Sequence, residues 1–279
     1  MKKERKIVLS LIIAILFTGI LFQTCLVFGI FGNLGLIYVP AYFNDNTEGG
    51  FINPDSVYSI SIYGKKRFIL SYNSLKYCKN LKSLDLDIFP DTKELKNVNF
   101  LRNLNKLESV SLQCNASDWS GLQECKNLTY VKIHDSNFAN FDYLRNMDKI
   151  NRLDIRTSSD LKCSDNVSFM SVDEIYIEAP AFDISGVKTA INTTFFAVKT
   201  KKIYNCDEIR NMNCLKHLRF IGTDIDIDNL KIISEIDSLE ELDLTECVFS
   251  VGEEQLKNVL SGLYERKAEV KINDCEFRE

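Results

Sequence analysis

An apolar triad of the form Leu-x-x-Leu-x-Leu recurs along this chain at a nearly constant interval. It reads most clearly at Leu81, Leu84 and Leu86, and returns at Leu107/Val110/Leu112, Leu128/Val131/Ile133 and Ile150/Leu153/Ile155. Further copies stand at Val172/Ile175/Ile177, Leu215/Leu218/Phe220 and Leu239/Leu242/Leu244. The last two apolar residues of each copy make a ruler from Ile60/Ile62, through Phe196/Val198, to Val270/Ile272. Its steps are 24, 26, 21, 22, 22, 21, 22, 24 and 28 residues. A period of this size marks an array of stacked units.

Within each unit the apolar residues alternate with polar ones, so they share one side of a short strand. Such a strand cannot stand alone, and stacking neighbours buries its apolar side in a continuous core. About five positions beyond the strand another apolar residue turns inward, at Phe138, Phe182, Ile225, Phe249 and Phe277. These aromatics read as core. Units of 21 or 22 residues leave room only for short helical turns on the return, as in the stretch from Phe141 to Met147. The 28-residue step is long enough for a helix. Leu256, Val259, Leu260 and Leu263 follow helical spacing there, behind Glu253 and Glu254, and predict about three turns. The segment 95–104 is a second, shorter candidate.

This pattern resembles the leucine-rich repeat family, most closely the 22-residue type of internalin-like bacterial surface proteins. The resemblance covers residues 57–279, weakening between 157 and 205, where Asn192-Thr-Thr-Phe-Phe196 lacks the leading Leu. It implies an α/β solenoid with short parallel strands on a concave face. The family places Asn or Cys three residues past each strand. Here that place holds Phe89, Asn115, Ser136, Ser158, Pro180, Lys201, Thr223, Cys247 and Cys275, so only three of nine match. The departure argues against a named subfamily, with Ser and Thr as stand-ins for the internal ladder.

The amino terminus reads differently. Lys2, Lys3, Arg5 and Lys6 precede an almost wholly apolar run from Ile7 to Phe31. A membrane span needs about 20 such residues. The run exceeds the usual core of a cleaved signal, and no small-x-small site follows it. These features predict a basic cytoplasmic tail over 1–6 and a single transmembrane signal-anchor helix over 7–31. A juxtamembrane segment and N-terminal cap over 32–56 and a repeat domain of about ten strands over 57–279 follow. The array would then be extracytoplasmic, or secreted if the run were cleaved.

The net charge of -5 and the shortness of the basic runs beyond residue 6 argue against nucleic acid. The nine cysteines show no close Cys-x-x-Cys pair. Cys78 and Cys125 read as core residues standing in for Leu, whereas Cys247/Cys275 and Cys206/Cys214 are candidate disulfide pairs. His134 and His217 are isolated, no metal-ligand spacing appears, and there is no phosphate loop or nucleophile motif. The sequence therefore predicts no catalysis, no cofactor and no metal. An array that holds a cell-surface assembly together, or acts as a spacer, is the alternative to a binding protein.

Any binding function falls to the residues between the core positions. Tyr130, Lys132 and His134 face outward in one unit, and Arg152 and Arg156 in the next, followed by Tyr176, Phe195 and Arg219. Tyr and Arg bury large area while keeping a polar end, as binding hot spots require. These eight residues are the expected contact site for a protein or surface polymer. The opposing reading is a solvated sheet face on which Lys132, Arg152 and Glu174 pair across strands. The final strand has no evident cap, which predicts self-association at the C-terminal edge.

Overall fold

The computed structural model describes residues 15–21, 37–39, 42–43, 50–63, 72–87, 95–135, 137–145, 147–161, 167, 169 and 171–278. The strands are, in order, β1 (Ile37–Val39), β2 (Tyr42–Phe43), β3 (Gly50–Ile52), β4 (Ser59–Tyr63), β5 (Ser83–Asp87) and β6 (Ser109–Gln113). Next come β7 (Tyr130–His134), β8 (Arg152–Arg156), β9 (Glu174–Glu178), β10 (Ala181–Asp183), β11 (Phe195–Lys199) and β12 (Lys202–Tyr204). The last are β13 (His217–Ile221), β14 (Asp224–Ile225), β15 (Glu241–Thr245), β16 (Val248–Phe249), β17 (Glu269–Asn273) and β18 (Glu276–Phe277).

Ten of these, β4 to β9 and then β11, β13, β15 and β17, form one parallel sheet in sequence order, and β2 pairs antiparallel with β4 at its first edge. They are the ten ruler positions read from the sequence. Register is in step throughout, with Leu84 beside Val110, Val110 beside Val131 and Val131 beside Leu153. Alternation therefore stacks the apolar side chains into one core and aligns the outward ones into three columns. Smaller parallel sheets, β10–β12 and β14–β16–β18, run where the chain leaves each strand.

Opposite the main sheet the return segments are tight. Single turns of 3-10 helix span Asn99–Asn103, Ser120–Glu124, Phe141–Leu144, Ile184–Val187 and Cys206–Asn211. Aromatics fill the space behind them. Trp119 meets Phe138 edge-on with centroids 5.4 Å apart, and Phe141 meets Phe169 at 5.5 Å. Phe182 meets Phe196 at 6.4 Å. Successive turns pack so closely that a Cβ on Gly121 would lie 2.1 Å from the Val98 carbonyl oxygen.

Longer units carry α-helix. One, not anticipated from the sequence, spans Ile227–Ser234, capped where Asp226 accepts a bond from the Asn229 N–H and anchored by buried Leu230 and Ile233. The helix expected in the last unit is present in two pieces, Glu253–Val259 and Ser261–Glu265, separated at Leu260. Leu256, Leu260 and Leu263 are nevertheless all buried. Over 95–104 the chain makes only the Asn99–Asn103 turn.

The internal ladder beyond the strands is more complete than a fixed offset predicted. In the early units the buried residue lies one place sooner, at Cys114, Asp135, Thr157, Ala179 and Thr200. In the last three the ladder residue lies at buried Thr223 and Cys247 and half-buried Cys275, because an extra left-handed residue precedes each: Gly222 (φ 64°), Glu246 (φ 55°) and Asp274 (φ 53°). The ladder side chains satisfy loop backbone. Asp135 accepts the N–H groups of Ala116 and Asn137, and the Cys247 thiol donates to the Phe220 carbonyl at 3.4 Å. Cys275 donates to the Leu244 carbonyl at 3.3 Å. The missing leading Leu is replaced by buried Thr193, whose hydroxyl donates to the Val172 carbonyl at 2.8 Å.

Two expectations need correction. No transmembrane helix is found: among the described residues no helix is long and apolar enough to cross a membrane. Of the stretch 7–31 only 15–21 is described, as a helical segment. The rest of that stretch, and the tail 1–6, lie outside the described residues. With the span fall the single-pass topology, the signal-anchor, the membrane partner and the extracytoplasmic or secreted placement inferred from it. The candidate disulfides are also absent: Cys206, Cys214, Cys247 and Cys275 are free thiols. Cys247 and Cys275 use their sulfurs as hydrogen-bond donors instead, while Cys206 is buried and Cys214 exposed.

Candidate functional site

The concave surface is the outward side of the ten-strand sheet, and register fixes what stands beside what. The first column reads Ser59, Ser83, Ser109, Tyr130, Arg152, Glu174, Phe195, His217, Glu241 and Glu269. The early strands thus offer mostly serines with Asp85, Asp87 and Gln113, and Tyr63 on β4 donates to Asp85 at 2.8 Å. All eight predicted contact residues stand at outward positions of β7, β8, β9, β11 and β13.

Around Arg152 and Arg156 the side chains hold one another. The Arg152 guanidinium carbon lies 5.9 Å from the Tyr130 ring centroid, and one of its nitrogens is 3.2 Å from a Glu174 carboxylate oxygen. Arg156 lies 4.8 Å from the Tyr176 centroid and donates to both oxygens of Asp154, at 3.1 and 3.3 Å. These bonds raise the Arg156 pKa further, against desolvation. Asp154 itself is only 7% exposed. Burial, reinforced by Asp154 and Glu178 respectively, raises the Tyr130 and Tyr176 phenols, so both stay protonated donors. Each cation–π contact of this kind contributes about 0.5–1 kcal/mol. The larger consequence is that long side chains arrive at a partner already ordered.

Beyond β9 the pairing continues. Lys199 meets Glu178 at 2.8 Å and Arg219 meets Asp243 at 2.8 Å. The Arg219 contact is an ion pair without a hydrogen bond, its Nε lacking an aligned acceptor. His217 contacts Glu241 through Nδ1 at 3.1 Å, and Lys271 meets the other Glu241 oxygen at 2.6 Å. Phe195 and Ile221 are half-buried, and the Phe195 ring lies 6.4 Å from that of His217. The structure therefore draws Tyr130, Arg152, Arg156 and Tyr176 into one interlocked group. Phe195 and Arg219 fall in a second group with His217, and Lys132 and His134 flank Tyr130 on β7.

Sequence reasoning named these residues, and Glu174 in the solvated-face reading, but missed the other acceptors, Asp154, Glu178, Glu241 and Asp243. The signal was available in the register, which places Glu174 beside Arg152 and Asp243 beside Arg219. It could not foresee that Asp154 bonds along its own strand. The solvated-face reading is met in part, since Arg152 and Glu174 do pair across strands while Lys132 stays out.

No group of three or more His, Cys, Asp or Glu side chains among the described residues could hold a metal ion. Burial pushes the thiols of Cys78, Cys125, Cys206 and Cys247 up to about 12, which leaves them protonated and poorly nucleophilic. A second concavity, about 370 Å³, lies off the concave face between Ile203, Tyr204, Ile225 and Phe249, with Lys202 and Arg278 at its rim.

The parallel β-sheet solenoid resembles leucine-rich repeat folds, without assignment to a particular subfamily. Among solved structures it is similar to an internalin (inlF) from Listeria monocytogenes str. 4b F2365, at 15% identity, covering 84% of this chain and 79% of that one, with a TM-score of 0.46. Internalin C2 from the same strain is similar at 13% identity, covering 83% and 87%, with a TM-score of 0.48. A leucine-rich repeat protein of Leptospira interrogans is similar at 13% identity, covering 71% and 56%, with a TM-score of 0.43. No protein-family model and no curated protein matches the chain. These likenesses concern the fold alone.

Proposed function

We propose that this chain is a binding module that recognises a polypeptide partner on its concave face, with no chemical step. The observation that carries the reading is the preordered cluster of Tyr130, Arg152, Arg156 and Tyr176, each cation held by both a ring and a carboxylate. Tyr and Arg supply hot spots best when their conformational cost has been met before binding. His134, Lys132, Phe195 and Arg219 extend the contact area on either side. Residues 57–279 act as one array, and β2 within 32–56 covers its first edge.

We place the chain nearest the 22-residue repeat type, on the period of its central units. The structural or spacer alternative requires a featureless concave face, and the ordered aromatic and basic cluster disfavours it. The test is a random peptide library displayed on phage and panned on the purified protein. Selected clones should lose binding to a Tyr130→Ala, Arg152→Ala, Tyr176→Ala triple variant of unchanged melting behaviour. Clones indifferent to that variant would refute the siting.

A further inference from the structure

Resting on that reading, we infer that Lys132 is the specificity-determining charge of the face and takes a carboxylate side chain of the bound polypeptide. Among the concave-face cations Arg152, Arg156, Lys199, Arg219 and Lys271 each sit within ion-pair distance of a carboxylate. Lys132 has no such partner among the described residues. The reason is visible in the register. Its column neighbours are Ser111 on β6 and Asp154 on β8. Asp154, the natural acceptor, is buried and already committed to Arg156 through both of its oxygens. Ser111 is too short and is neutral.

Lys132 therefore stands on β7 between Ser111 and Asp154, with Ser83 and Ser109 in the adjoining column beside Tyr130. A cation that no carboxylate neutralises governs the sign of the group accepted beside it. The occupant is polypeptide rather than a polyanionic chain. A uniform polyanion laid across Lys132 would run onto Asp85 and Asp87 on β5, which no cation neutralises among the described residues, at repulsive cost. A polypeptide places one carboxylate and varies its other groups.

The test compares sequenced peptide pools selected from the same random library on wild type, Lys132→Gln and Lys132→Arg. Lys132 is a half-buried surface residue outside the core, so folding is not at stake. Asp and Glu should be enriched about threefold in the wild-type pool over the input, matching the modest strength of a partly exposed ion pair. The enrichment should persist with Lys132→Arg and vanish with Lys132→Gln. Equal acidic content in the wild-type and Lys132→Gln pools overturns the inference. Lys132-dependent binding of an oligogalacturonate in preference to the selected peptides overturns its polypeptide part. Peptides that follow Lys132 yet ignore the Tyr130/Arg152/Tyr176 substitutions would instead sink the broader siting, so the two failures are distinguishable.

Discussion

The guanidinium of Arg156 lies 4.8 Å from the ring centroid of Tyr176 while both of its bonds go to Asp154 on its own strand. Planar stacking and forked bonding are satisfied together, which an ammonium group cannot reproduce. Arg156→Lys should therefore cost about as much as Arg156→Ala, on the order of 1 kcal/mol in urea unfolding. A lysine variant as stable as wild type would show that the stack is incidental.

Gly121 sits where successive turns approach most closely, with no room for a side chain against the backbone of Val98. Gly121→Ala must push two turns apart, because the obstacle is main chain and cannot rotate away. We expect a loss of about 1–3 kcal/mol, read as a lower urea midpoint. An unchanged midpoint would mean the turns are not locked.

Asp135 is fully buried and accepts two backbone N–H groups, from Ala116 in the preceding unit and from Asn137 in its own loop. Burial pushes its carboxyl above the usual range, and those bonds pull the other way. Asp135→Ala leaves both donors unsatisfied, at about 1–3 kcal/mol each. Asp135→Asn should recover at most part of the loss, because one amide oxygen replaces two acceptors. Full stability in the Asn variant, measured by chemical denaturation, would contradict this role.

The bonds from Lys271 and then His217 hold the Glu241 carboxyl below its ordinary 4.5. A carboxylate depressed on folding contributes stability above its unfolded pKa and loses it as pH falls through the folded value. The wild-type urea midpoint should thus decline below pH 4.5 by more than that of Glu241→Gln. Parallel acid limbs for the two proteins would remove Glu241 from the account.

All ten rungs were legible because a half-buried strand alternates with period two and the units repeat it. The ladder beyond them was not, since its offset depends on left-handed residues and two of these, Glu246 and Asp274, carry no glycine signature. The helix at Ile227–Ser234 was readable from Asp226 as a cap and from Leu230 and Ile233 on one face. The apolar run at 7–31 was read by hydropathy alone, a measure that does not establish a continuous helix. At the face, alternation showed which residues point outward. The choice of Asp154 by Arg156 depended on side-chain geometry that spacing does not encode.

The most direct test of the concave-face reading is the affinity of a panned peptide for two variants of the folded protein. One is the Tyr130→Ala, Arg152→Ala, Tyr176→Ala triple; the other is a Lys202→Ala, Tyr204→Ala double at the separate concavity. Titration calorimetry should show a loss of at least about thirtyfold for the triple, about 2 kcal/mol, as truncating hot spots does. The double should bind as wild type does. Equal affinity of wild type and triple, or a loss confined to the double, would contradict the account.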